Sequence, residues 1–286
     1  MLKLGTFTGF STQLHNKGIL EIHFSQAGEW NTTTTAMKRD LIETLLQAQM
    51  DNRVRVAMFT ADGPAFIAGD NMKGYTSTEP SEGSPMQPVY GGHDNAIGTY
   101  EGLRNISQAL NAAVRNLDKL TVCAINGYAI QTGFTLALCC DFRIASTDAK
   151  MGSATLRYAL LPDEGGHYMI VQFLGVAKAM EFLMRKRIVT AQEALELGLV
   201  HQVVEPAKLR NAAMELAEEL TEGPQVAMRL LKRSVYNAPA QTFEQACDDI
   251  AAKTGIVDYH PDSCEGVQAF KEKRKPAFNA WLGNQE

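Results

Sequence analysis

Apolar and polar residues alternate along residues 18–24 (GILEIHF), a pattern that predicts a half-buried β-strand. The run NTTTT at 31–35 offers several hydroxyl groups that can cap a helix, and residues 36–49 have the pattern of that helix. Residues 54–60 (VRVAMFT) predict a second strand, followed by the loop sequence ADGPAFIAGD. The order strand, helix, strand is typical of an α/β fold.

The same succession of elements continues through the middle of the chain. Residues 76–95 are rich in Pro, Gly and Ser and predict a surface segment ahead of a helix at 97–117. Residues 120–126 (LTVCAIN) and 141–145 (DFRIA) predict strands. Between them, 133–140 (GFTLALCC) is apolar on nearly every face, as expected for a buried helix. These elements predict an α/β fold with substantial parallel pairing and right-handed crossovers.

From about Gly175 onward the pattern is mainly helical, with one short strand predicted at LVHQVV. We therefore predict a core at 1–204 and a helical C-terminal region at 205–286. Tails of this kind often pack on a neighbouring subunit or cover a site, so we expect a role in trimerisation or as a lid.

Composition narrows the function classes. The 286 residues carry a net charge of −5 spread over segments of mixed sign, so no basic stripe points to nucleic acid. No stretch approaches 18 uninterrupted apolar residues, and no leader pattern is present, which favours a cytoplasmic protein without a membrane segment. The five cysteines form no CxxC or Cys/His spacing, so we expect buried, reduced thiols and no metal site.

Four segments carry the candidate chemistry. They are PAFIAGDNMKGY (64–75), AINGYAIQTGFTLALCCDFRIAS (124–146), LLPDEGGHYMIVQFLG (160–175) with its continuation to 204, and EGVQAFKEKRKPAF (265–278). In order and spacing they resemble the motifs of the crotonase, or enoyl-CoA hydratase/isomerase, superfamily. The resemblance covers almost the whole chain, and it implies a crotonase-like ββα superhelix core with a helical C-terminal region.

The resemblance also implies an acyl-CoA substrate whose thioester oxygen is bound by two backbone N–H groups. Transferred by position, these donors are Ala68 and Thr132, with Gly69 and Gly133 beside them in the substrate site. Preorganised donors at a helix N-terminus stabilise the enolate that forms when the α-carbon loses a proton. CoA would be part of the substrate and no separate cofactor is implied. Family members assemble as trimers or dimers of trimers.

The chain departs from the family pattern at several positions. Thr132 replaces the usual glycine at the second donor, and Asn71 replaces an aspartate of the first loop. The two glutamates that hydratases of the family use fall at Thr135 and Thr155. Hydroxyl groups titrate far from neutrality and are poor general acids or bases, so a standard hydratase is disfavoured. Both threonines are nevertheless expected to line the substrate site.

The adjacent acids Asp163 and Glu164 offer another source of proton transfer. Peroxisomal-type Δ3,Δ2-enoyl-CoA isomerases are similar at the position of Glu164, whereas the ring-epoxide isomerases and the 4-chlorobenzoyl-CoA dehalogenases are similar at Asp163. One carboxylate suffices for a 1,3-proton shift. We predict Glu164 as the base with Asp163 assisting; the alternatives are Asp163 as the main acid, or two acids that only cap the helix near Gly165.

Two further hypotheses stay open. His167, three residues after Glu164, resembles a histidine of the family's β-diketone hydrolases, which would imply carbon–carbon bond hydrolysis without CoA; a helix-face histidine bonded to a neighbour is the simpler interpretation. A catalytically silent CoA-binding subunit is the third possibility. For an acyl-CoA, the cationic and aromatic contacts implied by the resemblance come from Lys73, Phe270, Lys273 and their neighbours Lys271, Arg274, Lys275 and Phe278.

Overall fold

The computed structural model describes residues 2–71 and 96–282, which contain eleven strands and ten α-helices. The strands are β1 (Gly5–Thr6), β2 (Phe10–His15), β3 (Ile19–Phe24), β4 (Val56–Ala61), β5 (Ala65–Ile67), β6 (Leu120–Ile125), β7 (Tyr128–Ile130), β8 (Phe142–Ser146), β9 (Lys150–Gly152), β10 (Ile188–Thr190) and β11 (Gln202–Val204). The helices are α1 (Thr35–Met50), α2 (Ala96–Gly102), α3 (Gln108–Arg115), α4 (Thr132–Cys139), α5 (Gly166–Met184), α6 (Ala191–Glu196), α7 (Leu209–Glu222), α8 (Gln225–Asn237), α9 (Phe243–Asp258) and α10 (Pro261–Glu272).

The larger sheet has seven strands in the order β1-β2-β3-β4-β6-β8-β11. Pairing is parallel from β3 through β11 and antiparallel between β1, β2 and β3. The predicted α/β fold with parallel pairing is confirmed. The antiparallel strand β2 was not predicted, since its sequence FSTQLH carries only two large apolar residues.

A second sheet of four strands, in the order β10-β9-β7-β5, lies beside the two loops that carry the predicted N–H donors: the first candidate loop at 68–71 and the second at 131–132. Strand β5 pairs in parallel with β7, so the chain segments that follow these strands emerge side by side. Residues 65–67, predicted as loop, form β5. Three residues are too few to show the alternation of a strand in the sequence, and β5 forms because its three side chains are buried and its backbone pairs with β7. The backbone before β7 passes close to the backbone before β5 at Gly127, where a Cβ would lie 2.0 Å from the carbonyl oxygen of Pro64.

Two apolar clusters lie on the two faces of the larger sheet. The larger cluster joins the sheet to α1, α3, α4 and α5, and all eight residues of α4 are buried, which confirms the predicted buried helix. The smaller cluster packs α7 against β4, β6 and β8. The first helix of the predicted C-terminal region is therefore part of the packed core; the division at 204 itself stays a prediction.

The first two predicted helices and the cysteines agree with the sequence prediction to different degrees. The helix predicted at 36–49 is α1, and its N-cap Thr34 accepts a hydrogen bond from the Met37 N–H at 3.2 Å. The helix predicted at 97–117 is interrupted by a π-helical turn at Leu103–Ser107. Three cysteines are buried as expected, but Cys247 and Cys264 are exposed because they lie on the outer faces of α9 and α10.

Lys73 and the segment 76–95 lie outside the described residues. Within the described part of the chain, no helix is long and apolar enough to cross a membrane. The same residues contain no group of three or more His, Cys, Asp or Glu side chains that could hold a metal ion.

Candidate active site

A buried lysine lies at the centre of the site. The Lys38 ammonium is 2.8 and 2.9 Å from the two carboxylate oxygens of Asp70 and 2.9 Å from Oε1 of Glu164. It also donates to the hydroxyl of Ser107 at 2.8 Å. Only 3% of Lys38 is exposed. A charge removed from water to this degree needs paired and hydrogen-bonded partners, and Lys38 has four such contacts.

Helix α1 delivers Lys38 to this position. Capping by Thr34 fixes where the helix begins, and Met37 and Leu41 anchor it in the larger apolar cluster. Lys38 follows Met37 on the side of α1 that faces the π-helical turn containing Ser107. The long aliphatic stem therefore crosses the interface between the helices, and only the ammonium group reaches polar atoms.

Asp70 joins the lysine to the first candidate loop. Besides Lys38, its carboxylate accepts hydrogen bonds from the hydroxyls of Thr33 (2.5 Å) and Thr132 (2.8 Å). The loop backbone is pinned to the start of α1, since Thr33 N–H donates to Gly69 O and Asn71 N–H donates to Thr33 O. Gly69 turns the chain at this point with φ +106°, a conformation that favours glycine. The side chain of Thr132 thus points to Asp70 and links the two candidate loops.

Glu164 reaches the lysine from the turn before α5. Its carbonyl oxygen accepts from the Asn111 side chain (3.0 Å), and that of Asp163 accepts from Gln108 (2.8 Å), so α3 fixes the turn. Gly165 ends the turn with φ +94° and is the N-cap of α5. The carboxyl group of Glu164 points inward, where Oε1 is paired with Lys38. Among the described residues, Oε2 has no hydrogen-bond partner and is buried.

Burial and charge set the protonation of these groups. Burial raises the pKa of Glu164, the negative charge of Asp70 raises it further, and Lys38 opposes both. For Lys38, burial alone would lower the pKa, but Glu164 and Asp70 together raise it above its ordinary value. For Asp70, burial alone would raise the pKa; Lys38 and the two threonine hydroxyls outweigh this and hold it low. Lys38 and Asp70 are thus both held in their charged forms, whereas the pKa of Glu164 is shifted towards its neutral form, so Glu164 is the member of the cluster best suited to take up a proton.

The backbone at the second loop is arranged to present an N–H group. Gln131 adopts φ 47° and ψ −101°, an uncommon conformation for a residue with a side chain. Two hydrogen bonds fix this geometry: the Ser153 hydroxyl donates to the side-chain oxygen of Gln131 at 2.7 Å, and the Gln131 N–H donates to Gly152 O at 3.1 Å. Helix α4 begins at Thr132, whose N–H has no acceptor within the helix because the first N–H groups of a helix never do. Thr132 is therefore suited to donate to a bound oxygen.

The first predicted donor is already engaged. The Ala68 N–H donates to the carbonyl oxygen of Trp30 at 3.2 Å, which weighs against its use for a substrate. Asn71 N–H points to Thr33, and successive N–H groups of an extended chain point to opposite sides, so the N–H of Asp70 faces away from that segment. Within the described residues it has no backbone acceptor. Asp70 is the better candidate for the first donor.

Glycines allow the two loops to approach each other. A Cβ at Gly133 would lie 2.2 Å from Ile67 O, so only glycine lets α4 pack against β5. Thr135, one turn into α4, is buried, and its hydroxyl would lie 2.7 Å from a Cβ at Gly166. Thr155 is partly buried, with its hydroxyl 3.3 Å from that of Ser153.

The remaining predicted residues contact groups other than Lys38, Asp70 and Glu164. His167 is exposed, and its Nδ1 is 3.3 Å from the carbonyl oxygen of Pro162. Phe270 is exposed on α10, and Lys273 follows the end of that helix at φ 54°. Lys271, Arg274 and Lys275 are exposed, Phe278 is partly buried, and Arg274 and Lys275 pair with Glu265 and Glu222. Their part in binding an acyl-CoA stays a prediction.

Sequence reasoning missed the side chains that surround Glu164. Lys38, Ser107 and Asn111 lie outside the four quoted segments, and Asp70 was taken only as part of a loop. Lys38 precedes Arg39 and Asp40, so its segment has the charge pattern of a solvated helix face. The departure that could have given a signal is Thr132, whose added hydroxyl needs a partner when buried, and Asp70 is that partner.

Sequence and structure comparisons identify similar proteins. A profile of the enoyl-CoA hydratase/isomerase family matches residues 15–281. The 1,2-epoxyphenylacetyl-CoA isomerase of Escherichia coli K12 is 29% identical over 265 residues, covering 92% of this chain and 95% of that protein. The carnitinyl-CoA dehydratase of the same strain is 30% identical over 277 residues, covering 94% and 98%. The crystal structure of an enoyl-CoA hydratase from Bacillus anthracis superposes with a TM-score of 0.83 at 29% identity, covering 94% and 98% of the two chains.

Proposed function

Because the chain belongs to the enoyl-CoA hydratase/isomerase family, whose profile spans residues 15–281, we propose that it isomerises an enoyl-CoA thioester with Glu164 as the base. The observation that carries this proposal is the state of the Glu164 carboxyl group: it is buried, its pKa is raised, and its Oε2 has no hydrogen-bond partner among the described residues. A general base is most effective when its pKa lies near the working pH.

The reaction follows from one base and two N–H donors. The backbone N–H groups of Asp70 and Thr132 bind the thioester oxygen, and Oε2 of Glu164 removes a proton from C2 of a 3-enoyl chain. The electron pair of that C–H bond spreads over the thioester oxygen, C2 and C4 as a dienolate, which the two donors stabilise. Glu164 then returns the proton to C4, which gives the 2-enoyl thioester. No second acid is needed.

Other features favour isomerisation over hydration. Thr135 and Thr155 stand where the family's hydratases have glutamates, and the pKa of a hydroxyl is too far from neutrality for either to split water. The two similar bacterial proteins are an isomerase and a dehydratase of CoA thioesters by name, which supports a CoA thioester as the substrate. CoA would enter as part of that substrate, with no other cofactor.

The two other hypotheses have less support. A β-diketone hydrolase would require His167 to act on the substrate, but this ring is exposed and lies against the Pro162 carbonyl. A silent CoA-binding subunit would not need a buried carboxyl group with a free oxygen. Assembly as a trimer or a dimer of trimers, and a cytoplasmic location, remain proposals that rest on the family.

A turnover experiment tests the proposal. The purified protein is incubated with a 3-enoyl-CoA, and the 2-enoyl product is followed by chromatography. We expect turnover, with kcat reduced about 10²–10⁴-fold in Glu164→Gln, since this is the usual contribution of a general base.

Two variants provide controls. Glu181→Gln alters an exposed acid on α5, the helix that follows Glu164; this acid is paired with Arg185, and the change should leave kcat unchanged. Asp163→Asn tests the neighbouring acid and should reduce kcat much less than Glu164→Gln. Absence of turnover while the thioester still binds would refute isomerisation, and a larger loss in Asp163→Asn would assign the base to Asp163.

A further inference from the structure

The contacts of Lys38 set this site apart from a simple buried acid. Its ammonium contacts carboxylates from two different loops, Asp70 and Glu164, and the hydroxyl of Ser107 from a third segment. Lys38 lies in α1, outside every segment that carries the family resemblance. It holds one oxygen of Glu164 and leaves the other without a partner among the described residues.

We propose that Lys38 is a positioning residue that orients Glu164 for proton transfer, and that Asp70 allows Glu164 to take up and release a proton without leaving the lysine unpaired. This inference rests on the proposed function of Glu164 as the base. Lys38 acts through Glu164 and needs no contact with the substrate.

The charges explain why both partners are needed. Before reaction, Lys38 carries +1 while Asp70 and Glu164 carry −1 each, so the three groups sum to −1. When the C–H bond of the substrate breaks, its electron pair enters the thioester and its proton forms an O–H bond with Glu164. The three groups then sum to zero, and Lys38 still has Asp70 as an ion-pair partner at 2.8 Å. An unpaired buried ammonium, which would be costly, never arises.

Few other charges face Glu164. From α4, Cys139 lies close enough to interact electrostatically, but burial raises the pKa of its thiol to about 12, so it stays neutral. From α3, Arg115 stacks on the Tyr236 ring and contacts Met169. On its own segment, the titratable residues nearest to Glu164 in sequence are Asp163 and the exposed His167. Lys38 and Asp70 are therefore the charges in direct contact or nearest to it in the described structure.

The proposal predicts that loss of Lys38 and loss of Asp70 shift the acidic limb of the pH profile in opposite directions. Without the positive charge of Lys38, Glu164 binds its proton more tightly, so the acidic limb of the kcat/KM profile should move to higher pH in Lys38→Met. Without the negative charge of Asp70, Glu164 binds its proton more weakly, so this limb should move to lower pH in Asp70→Asn. The Asp70 backbone N–H is retained in that variant. Lys38→Arg restores the charge and should bring the limb back toward the wild-type position.

Lys232→Met is the matched control. Lys232 is a second buried lysine, paired with Asp141 at 2.9 Å and hydrogen-bonded to two backbone carbonyl groups. Its loss should lower the thermal stability in the same way as the loss of Lys38, while leaving the acidic limb in place. A shift in Lys232→Met as large as that in Lys38→Met would overturn the inference.

A second measurement does not depend on turnover. Carboxyl groups of glutamate labelled with ¹³C are titrated by NMR in the whole protein, and the Glu164 signal is assigned by its absence in Glu164→Gln. We expect its midpoint to rise in Lys38→Met and fall in Asp70→Asn. Shifts of the same sign, or none in either variant, would overturn the inference. Opposite shifts without any turnover would support the charge arrangement and reject the isomerase.

Discussion

Gly165, the N-cap of α5, and Gly166, its first residue, are glycines for different physical reasons. Gly165 has φ +94°, a backbone conformation that side chains disfavour, yet the space around it is open. Gly166 has an ordinary conformation, but a Cβ there would lie 2.7 Å from the hydroxyl of Thr135. The first glycine lets the chain turn after Glu164, and the second lets α5 pack against α4.

Gly166→Ala should therefore destabilise the protein by overpacking, by about 1–3 kcal/mol in the free energy of unfolding. Thr135→Ala in the same chain removes the contacting hydroxyl and should recover part of this loss. Urea unfolding of the two single variants and the double variant gives the coupling between the sites. Gly28→Ala, at a position with no atom within 4 Å of the added Cβ, is the control. Purely additive effects of the two changes would contradict this explanation.

The two main groups of the site differ in how far the sequence predicts them. An acid directly before two glycines and an apolar helix is recognisable as a candidate base, so Glu164 was predicted. Lys38 was not, because helix periodicity describes only an average face, and Arg39 and Asp40 beside it suggest solvent. Its burial depends on Asp70 and Glu164, which are 32 and 126 residues away along the chain.

At the scale of elements, a charged network ties β3 to α7. Glu21 of β3 is buried and accepts hydrogen bonds from Arg210 of α7 at 2.8 Å, from Thr60 at 2.8 Å and from His15 at 2.7 Å. Burial alone would raise the pKa of Glu21, but these hydrogen bonds outweigh it and the pKa is lowered. The charged form of Glu21 thus stabilises the contact between the sheet and the helix.

Glu21→Gln should reduce the free energy of unfolding by about 1.5–3 kcal/mol at neutral pH, the usual contribution of hydrogen bonds to a charged group. Because the folded pKa is lowered, the stabilisation is present above the unfolded pKa and is lost as the pH falls through the folded pKa. The difference between wild type and variant, measured by urea unfolding, should shrink toward acidic pH. Glu218→Gln, in an exposed pair with Lys17, should have little effect at any pH. A difference that grows on acidification would contradict the assignment.

Long elements were predictable and short ones were not. The helix α1 and the strands β3, β4 and β6 carry full periods of apolar residues, so their patterns are clear. Strands of the second sheet have three residues each, too few for any period, and exist because they pair with one another. That sheet brings the loops at Gly69 and Gln131 together, so the site could be located only through the family resemblance.

At the scale of the whole molecule, the C-terminal helices leave large apolar side chains exposed. Phe243, the first residue of α9, is 80% exposed, and Tyr259, the C-terminal cap of the same helix, is 92% exposed. Phe270 of α10 is 85% exposed. Aromatic side chains are enriched at protein interfaces, so these exposed residues are candidates for contacts between subunits. These residues agree with the trimer or hexamer that the family resemblance predicts.

We expect the protein to sediment as an oligomer and the double variant Phe243→Glu/Tyr259→Glu to shift toward the monomer, because charges in an apolar interface are costly to bury. Met50→Glu, at an equally exposed apolar residue at the end of α1, is the control and should not change the mass. Sedimentation velocity measures all three proteins. A monomeric wild type would contradict the predicted assembly.

The enclosure of Glu164 has a consequence for the fate of hydrogen atoms. A proton on its carboxyl group is shielded from water, since only 2% of this side chain is exposed and Lys38 occupies the other oxygen. In the proposed isomerisation, return of this proton to the substrate should then be faster than its exchange with solvent. The hydrogen removed from one carbon would reappear on the other carbon of the same molecule, and a reaction run in heavy water would yield product containing little deuterium.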